Sequence, residues 1–140
     1  MTDTSGRQPW LRTVLLFGLV YFLIGFVFAA LAGSSASDGM RTTWRLLAWL
    51  TSGVTFAVDV GYEHFRLVSP PRKTALHASL AVALGAFALA VGANVHALRT
   101  GSRHGLLIPA LVLWPLLTGI PAYVVALVAV AGLALRRRRS

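Results

Sequence analysis

The chain has 140 residues, of which 56% are hydrophobic and only 12% are charged, and its formal net charge is +9. This balance is far from that of a soluble domain and indicates a protein that folds in a lipid bilayer. The basic residues flank long apolar segments and do not alternate with aromatic residues, so the positive charge does not indicate nucleic-acid binding. The absence of cysteine excludes disulfides, thiolate metal sites and cysteine nucleophiles.

Four apolar segments are each long enough to cross a bilayer as a helix, which needs about 20 residues to span about 30 Å of hydrocarbon. They run from about 13 to 32, 44 to 67, 75 to 98 and 106 to 135. The connections are short, polar and rich in turn-forming residues, so consecutive helices are expected to be antiparallel neighbours. The sequence therefore predicts an all-α fold, a four-transmembrane-helix bundle forming a single membrane domain over residues 1–140.

The first segment has a second interpretation as a cleaved signal sequence. Arg7 and Arg12 precede it, and Ala30-Leu31-Ala32 resembles a signal-peptidase site. The apolar run is longer than the usual h-region of about 7 to 15 residues, which favours an uncleaved first helix.

The fourth segment is interrupted by prolines. Pro109 suits the first turn of a helix, whereas Pro115 and Pro121 each remove an amide donor. The fourth helix is therefore predicted to be Pro-kinked, with a helix broken near these prolines as the alternative.

The orientation follows from the basic residues, because short cytoplasmic loops carry an excess of Lys and Arg. With four spans, one side of the membrane holds nine of them: Arg7, Arg12, Arg66, Arg72, Lys73, Arg136, Arg137, Arg138 and Arg139. The other side holds four: Arg41, Arg45, Arg99 and Arg103. Both termini are therefore expected in the cytoplasm. The chain has twelve Arg against one Lys and is rich in Ala, Gly, Leu and Val, a composition typical of proteins encoded by a GC-rich bacterial genome. We therefore expect a bacterial cytoplasmic (inner) membrane.

The arginine cluster that follows the fourth segment consists of Arg136, Arg137, Arg138 and Arg139. Basic residues next to a span resist translocation and attract anionic lipid headgroups. We expect this cluster to anchor the topology and to contact anionic lipids.

Small residues repeat at steps of three and four on the third segment. They are Ala78, Ala81, Gly85, Ala88 and Gly92. Because helix association in lipid depends on close van der Waals contact, this face predicts that the third helix is the centre of the bundle. Gly18, Gly25, Ala29 and Ala32 form a shorter face on the first segment. Packing within the chain is the simpler explanation, and a homodimer or larger membrane complex is the alternative.

The second segment carries polar residues at similar steps, which predicts one polar face. These are Ser52, Thr55, Asp59, Tyr62, Glu63 and Arg66. Ionisable residues inside a span usually face the interior of the bundle and are functional candidates. The candidate substrate or ion-binding residues are Asp59, Glu63, His77, Thr55 and Tyr62, with Arg66 and Arg12 as ion-pair partners.

Three interpretations of these residues compete. The first is a salt-bridged cap that sets how the second and third helices meet. The second is a proton or cation binding step of a small transporter or channel, with Asp59 as the carrier and Glu63 as its gate. The third is a metal site formed by Asp59, Glu63 and His77, although their spacing matches no recognised metal motif.

The histidines allow one further alternative, a b-type haem or redox protein. His64 and His77 fall towards one side of the membrane, and His96 and His104 towards the other. Haem ligands in helical bundles usually project from facing helices within the hydrocarbon, a placement that His64 and His104 do not match.

No motif supports an enzymatic reaction, because the phosphate-binding, dinucleotide-binding, HExxH and GxSxG patterns are all missing from the sequence. The sequence favours a small polytopic membrane protein with an accessory or scaffold role, ahead of transport. No cofactor is predicted, and the haem and metal alternatives stay open.

Overall fold

The computed structural model describes residues 9–66, 70–101 and 108–137, and within these ranges the regular structure is entirely helical. The helices are α1 Pro9–Ser34, α2 Asp38–Arg66, α3 Pro71–Arg99 and α4 Ala110–Arg137. The four predicted helices are therefore confirmed as helices. Of these, α1, α3 and α4 are long and apolar enough to cross a membrane. α2 is as long as α3 but carries six charged residues and is not among those three.

The connection between α1 and α2 is shorter than the sequence indicated, because α2 begins at Asp38 rather than near residue 44. The Ser37 hydroxyl accepts a hydrogen bond from the Met40 amide at 3.3 Å, which is the arrangement of an N-cap. Asp38 adds a negative charge to the first turn and pairs with Arg41 at 3.1 Å. This polar first turn extends α2 beyond its apolar segment.

α1 and α3 run parallel to each other. Near their N-terminal ends the rings of Trp10 and His77 stack at a centroid distance of 5.0 Å, and further along both helices Gly25 lies against Leu89. α2 runs antiparallel to them, because the ring of Phe28 near the end of α1 contacts Trp44 near the start of α2, at 6.1 Å. We call the end at which α1 and α3 begin and α2 ends the basal end.

α3 lies at the centre of the helix packing, as its small-residue face predicted. In its most apolar stretch 39% of the residues are buried, against 17% in α1 and 11% in α4. Ala78, Ala81 and Gly85 are buried, whereas Gly92 is exposed and has no neighbour within 4 Å. The small-residue face therefore packs along the basal half of α3 and not along its whole length.

The closest approach in this packing is at Gly85. A Cβ atom at this position would lie 2.6 Å from the Cβ atom of Tyr21 and 3.1 Å from the carbonyl oxygen of Gly18, both on α1. Only glycine allows the two helices to come this close. The contact of α1 with α3 therefore depends on this residue.

α4 continues through both prolines as one helix, so the broken-helix alternative does not match the structure, while the kink stays a prediction. The Pro109 carbonyl accepts a hydrogen bond from the Leu113 amide at 2.9 Å, which places Pro109 at the first turn as expected. α4 packs antiparallel to α3, with Gly119 against Ala83 and, nearer the basal end, Ala126 in the core beside Ala78.

Gly85→Ala should lower the free energy of unfolding by about 1–3 kcal/mol, the usual cost of overpacking a close contact. Chemical unfolding of the purified protein in mild detergent measures this change. Gly92→Ala is the matched control and should not lower the stability, since nothing lies within 4 Å of that position and alanine favours a helix more than glycine does. Equal stability of the two variants would contradict the tight crossing.

Candidate functional site

Two carboxylates of α2 are buried at the basal end. Glu63 is fully buried and Asp59 is 2% exposed, and Val60 between them packs against Ala75 and Ala78 of α3. The two carboxylates lie one helical turn apart on the side of α2 that faces the other helices. Burial of two acidic side chains is costly, so their partners determine what the site can do.

Glu63 has a defined partner on α3. His77 Nδ1 lies 3.1 Å from Glu63 Oε2 and 3.3 Å from Oε1, and the His77 ring stacks on Trp10 of α1 with an interplanar angle of 10°. This contact joins α1, α2 and α3. We call Asp59, Glu63 and His77 the acidic cluster.

Asp59 has no such partner. Its Oδ2 atom is buried without a hydrogen bond, and the residue forms no ion pair within the described parts of the chain. The hydroxyl of Tyr21 on α1 is also buried without a hydrogen-bond partner there. The acidic cluster therefore contains two carboxyl groups and a single imidazole.

The polar face predicted on α2 divides in two. Tyr62 is 46% exposed and Arg66 is exposed, so neither joins the buried carboxylates. Thr55 is half-buried, and its hydroxyl donates to the Thr51 carbonyl at 2.9 Å. Arg12 is exposed, and among the described residues neither Arg12 nor Arg66 pairs with a carboxylate.

The other sites predicted from histidine and arginine are not assembled. His96 is exposed, 19 positions beyond His77 and therefore about 28 Å away along α3. The buried Nδ1 of His64 has no hydrogen-bond partner in the described chain, and its ring contacts Phe65 edge-on at 5.0 Å. His104 and the side chains of Arg136, Arg137, Arg138 and Arg139 lie outside the described residues.

The metal interpretation receives no support from the geometry. Within residues 9–66, 70–101 and 108–137, no group of three or more His, Asp or Glu side chains is arranged to hold a metal ion.

Sequence reasoning missed two residues of this region. Trp10 carries the ring on which His77 stacks, and Tyr21 places a buried hydroxyl without a hydrogen-bond partner in the group against which Phe56 of α2 packs. Both belong to the apolar first helix, where an aromatic residue is ordinary and carries no signal of a site. The only sequence feature that sets Tyr21 apart is its hydroxyl within a run of purely apolar neighbours, since a buried tyrosine hydroxyl usually needs a partner.

Breaking the Glu63–His77 pair should destabilise the protein, because the remaining partner stays buried. Glu63→Gln and His77→Asn should each lower the free energy of unfolding by about 3–5 kcal/mol, and the double variant should lose clearly less than the sum. Chemical unfolding in detergent gives the coupling. Asp38→Asn, which breaks the exposed pair with Arg41, is the control and should lose little. Additive losses at Glu63 and His77 would contradict the pairing.

Comparison with known proteins identifies no relative, because no family model, no curated protein and no solved structure matches the chain. What stands is a helical chain with three helices suited to a membrane. The candidate function therefore rests on the side chains of the acidic cluster.

Proposed function

We propose that this chain is a four-span protein of the bacterial cytoplasmic membrane that binds a proton reversibly at Asp59 and carries it across the bilayer, as a small proton transporter or channel. The observation that carries this proposal is the buried Asp59 carboxylate without a counter-charge, beside a Glu63 that already uses His77.

The parallel direction of α1 and α3 supports a crossing by α2. If α1 and α3 both span the membrane, α1 ends on the side opposite to the start of α3. The chain between Ser34 and Pro71 must then return across the bilayer, and α2 occupies nearly all of that segment. At about 1.5 Å per residue its 29 residues extend about 43 Å, more than the hydrocarbon thickness.

The distribution of basic residues supports cytoplasmic termini, which places the basal end on the cytoplasmic side. Arg12, Arg66, Arg72 and Lys73 all belong to this end. The acidic cluster then lies at the cytoplasmic end of the spans, within reach of protons from that side.

The excess of buried carboxyl groups over basic groups in the acidic cluster favours binding of a cation. An isolated buried carboxylate costs several kcal/mol or more even after relaxation, and a bound cation removes that cost. A proton needs only the carboxylate itself, whereas a divalent metal needs further ligands that the described residues do not assemble. In this scheme Asp59 is the carrier, and Glu63 is the gate whose interaction with His77 holds the cytoplasmic ends of three helices together.

A scaffold role is the second candidate, and a specific observation favours it. The Glu63–His77–Trp10 contact joins three helices, which is what a structural cap requires. In that case Asp59 has no transport role, and its replacement affects only stability. The two candidates are separated by the flux measurement below.

The topology is tested by cysteine accessibility, for which a chain without cysteine is a clean background. Ala36→Cys lies between α1 and α2, and Lys73→Cys lies in the first turn of α3; both positions are exposed. A membrane-impermeant maleimide should label Ala36→Cys in intact cells and Lys73→Cys only after permeabilisation. Labelling of both from the same side would show that α2 does not cross.

The proton-binding role is tested with the protein in liposomes that contain a pH-sensitive dye. A potassium diffusion potential should drive proton flux in the wild type. Asp59→Asn should reduce this flux to the level of empty liposomes, because the amide cannot exchange a proton. The matched control is Asp38→Asn, which makes the same change on a side chain that is 96% exposed and should retain full flux.

Two outcomes would contradict the transport proposal. One is a wild-type flux no greater than that of empty liposomes, and the other is full flux in Asp59→Asn. A loss of stability in Asp59→Asn together with either outcome would favour the scaffold role.

A further inference from the structure

Tyr21 lies where α1, α2 and α3 meet. It is 8% exposed and packs with Val14 and with Ala81 of α3, and Phe56 of α2 packs against the same group. Asp59 follows Phe56 by three residues on α2. Tyr21 therefore lies next to the α2 turn that carries the proposed proton site.

The polar atoms of Tyr21 and Asp59 have complementary needs. The tyrosine hydroxyl is a donor, the Asp59 carboxylate is an acceptor, and both are buried without a hydrogen-bond partner among the described residues. An unmade hydrogen bond of a buried group costs about 1–3 kcal/mol, so two such atoms in the same region favour a shared bond. The packing places them in the same region, because Phe56 of α2 packs against the group that contains Tyr21 and precedes Asp59 by about one helical turn.

Other ionisable groups around Asp59 do not meet this need. Glu63, on α2, is an acceptor and pairs with His77 of α3. Tyr123 of α4 packs against the neighbouring Val60 core and is only partly buried. On α1, Arg12 is exposed. Among the described residues, the buried hydroxyls without a hydrogen-bond partner are those of Thr74 on α3 and Tyr21 on α1, and Tyr21 packs in the group that Phe56 of α2 also contacts.

We propose that the Tyr21 hydroxyl donates a hydrogen bond to the Asp59 carboxyl group, after a small side-chain rotation or through one water molecule, and that Tyr21 is a positioning residue of the proton site. This inference rests on the proposed function, because it assigns the partner of the same carboxyl group. It adds α1 to a site that the sequence placed on α2 and α3.

The position of Tyr21 gives this bond a consequence for the helices. The Cβ atom of Tyr21 lies at the tight crossing of α1 and α3, 2.6 Å from where a Cβ at Gly85 would be. A change in the hydrogen bond at the hydroxyl end therefore acts on the side chain that fills this crossing. Proton exchange at Asp59 is coupled in this way to the packing of α1 against α3.

Infrared difference spectroscopy of the full chain in lipid nanodiscs tests the pairing. A pH change should produce a carboxylic C=O band in the wild type that is missing in Asp59→Asn. In Tyr21→Phe the band should remain but move to higher frequency, because the carboxyl group loses its hydrogen bond. Proton flux in liposomes should fall about tenfold in Tyr21→Phe, the factor expected for one lost hydrogen bond of about 1.4 kcal/mol. Tyr62→Phe, at a tyrosine that the structure leaves on the exposed side of α2, should leave band and flux unchanged.

The outcomes separate the two proposals. Absence of a titrating Asp59 band in the wild type overturns the proposed function. An Asp59 band that is present but does not move in Tyr21→Phe overturns the pairing alone. The reciprocal variant tests the pairing without altering Tyr21: Asp59→Asn should shift the ring vibration of Tyr21, and an unchanged ring vibration overturns the pairing.

Discussion

α1 and α3 come together where Gly85 has no side chain, and this close approach determines much of the remaining arrangement. Because hydrocarbon tails are as apolar as the helices themselves, only tight packing gains free energy from association in lipid. At Gly85 the backbone of α3 lies against the Cβ atom of Tyr21 and the carbonyl of Gly18. In the same parallel packing of α1 and α3, Trp10 stacks on His77.

The second constraint is electrostatic. α2 places two carboxylates in the interior. α3 contributes the imidazole of His77, which contacts Glu63, and α1 contributes the indole ring of Trp10, which stacks on His77. Glu63 therefore has a hydrogen-bond partner, whereas the buried Oδ2 atom of Asp59 has none among the described residues, although the two residues lie one turn apart on the same helix. The Glu63–His77 pair joins helices, and the carboxylate without a partner is the group to which we assign proton exchange in our proposal.

The sequence predicted that Asp59, Glu63 and His77 lie together, but it also included residues that lie outside the acidic cluster. Asp59 and Glu63 stand out because a charge inside a long apolar segment is rare, and His77 followed from its place at the start of the third helix. Tyr62 and Arg66 were included because residues three or four positions apart share a helix face. Such steps lead from Asp59 to both Tyr62 and Glu63, and from these two residues to Arg66. These two residues are about 100° apart on a helix, and only the packing of α2 against its neighbours decides that Glu63 is inside and Tyr62 outside.

The sequence by itself determined the all-helical fold, the approximate extent of each helix and the small-residue face of α3. The length of an apolar segment and the size of its residues are local properties, and they decide whether a helix can cross a bilayer and how closely a neighbouring helix can approach it. The tertiary structure alone decided which part of that face is used, that Trp10 stacks on His77, and that Phe56 of α2 packs against the group that contains Tyr21. Those pairings join residues up to 67 positions apart in the chain, as for Trp10 and His77. No local pattern encodes them, because they depend on the rotation and offset of whole helices.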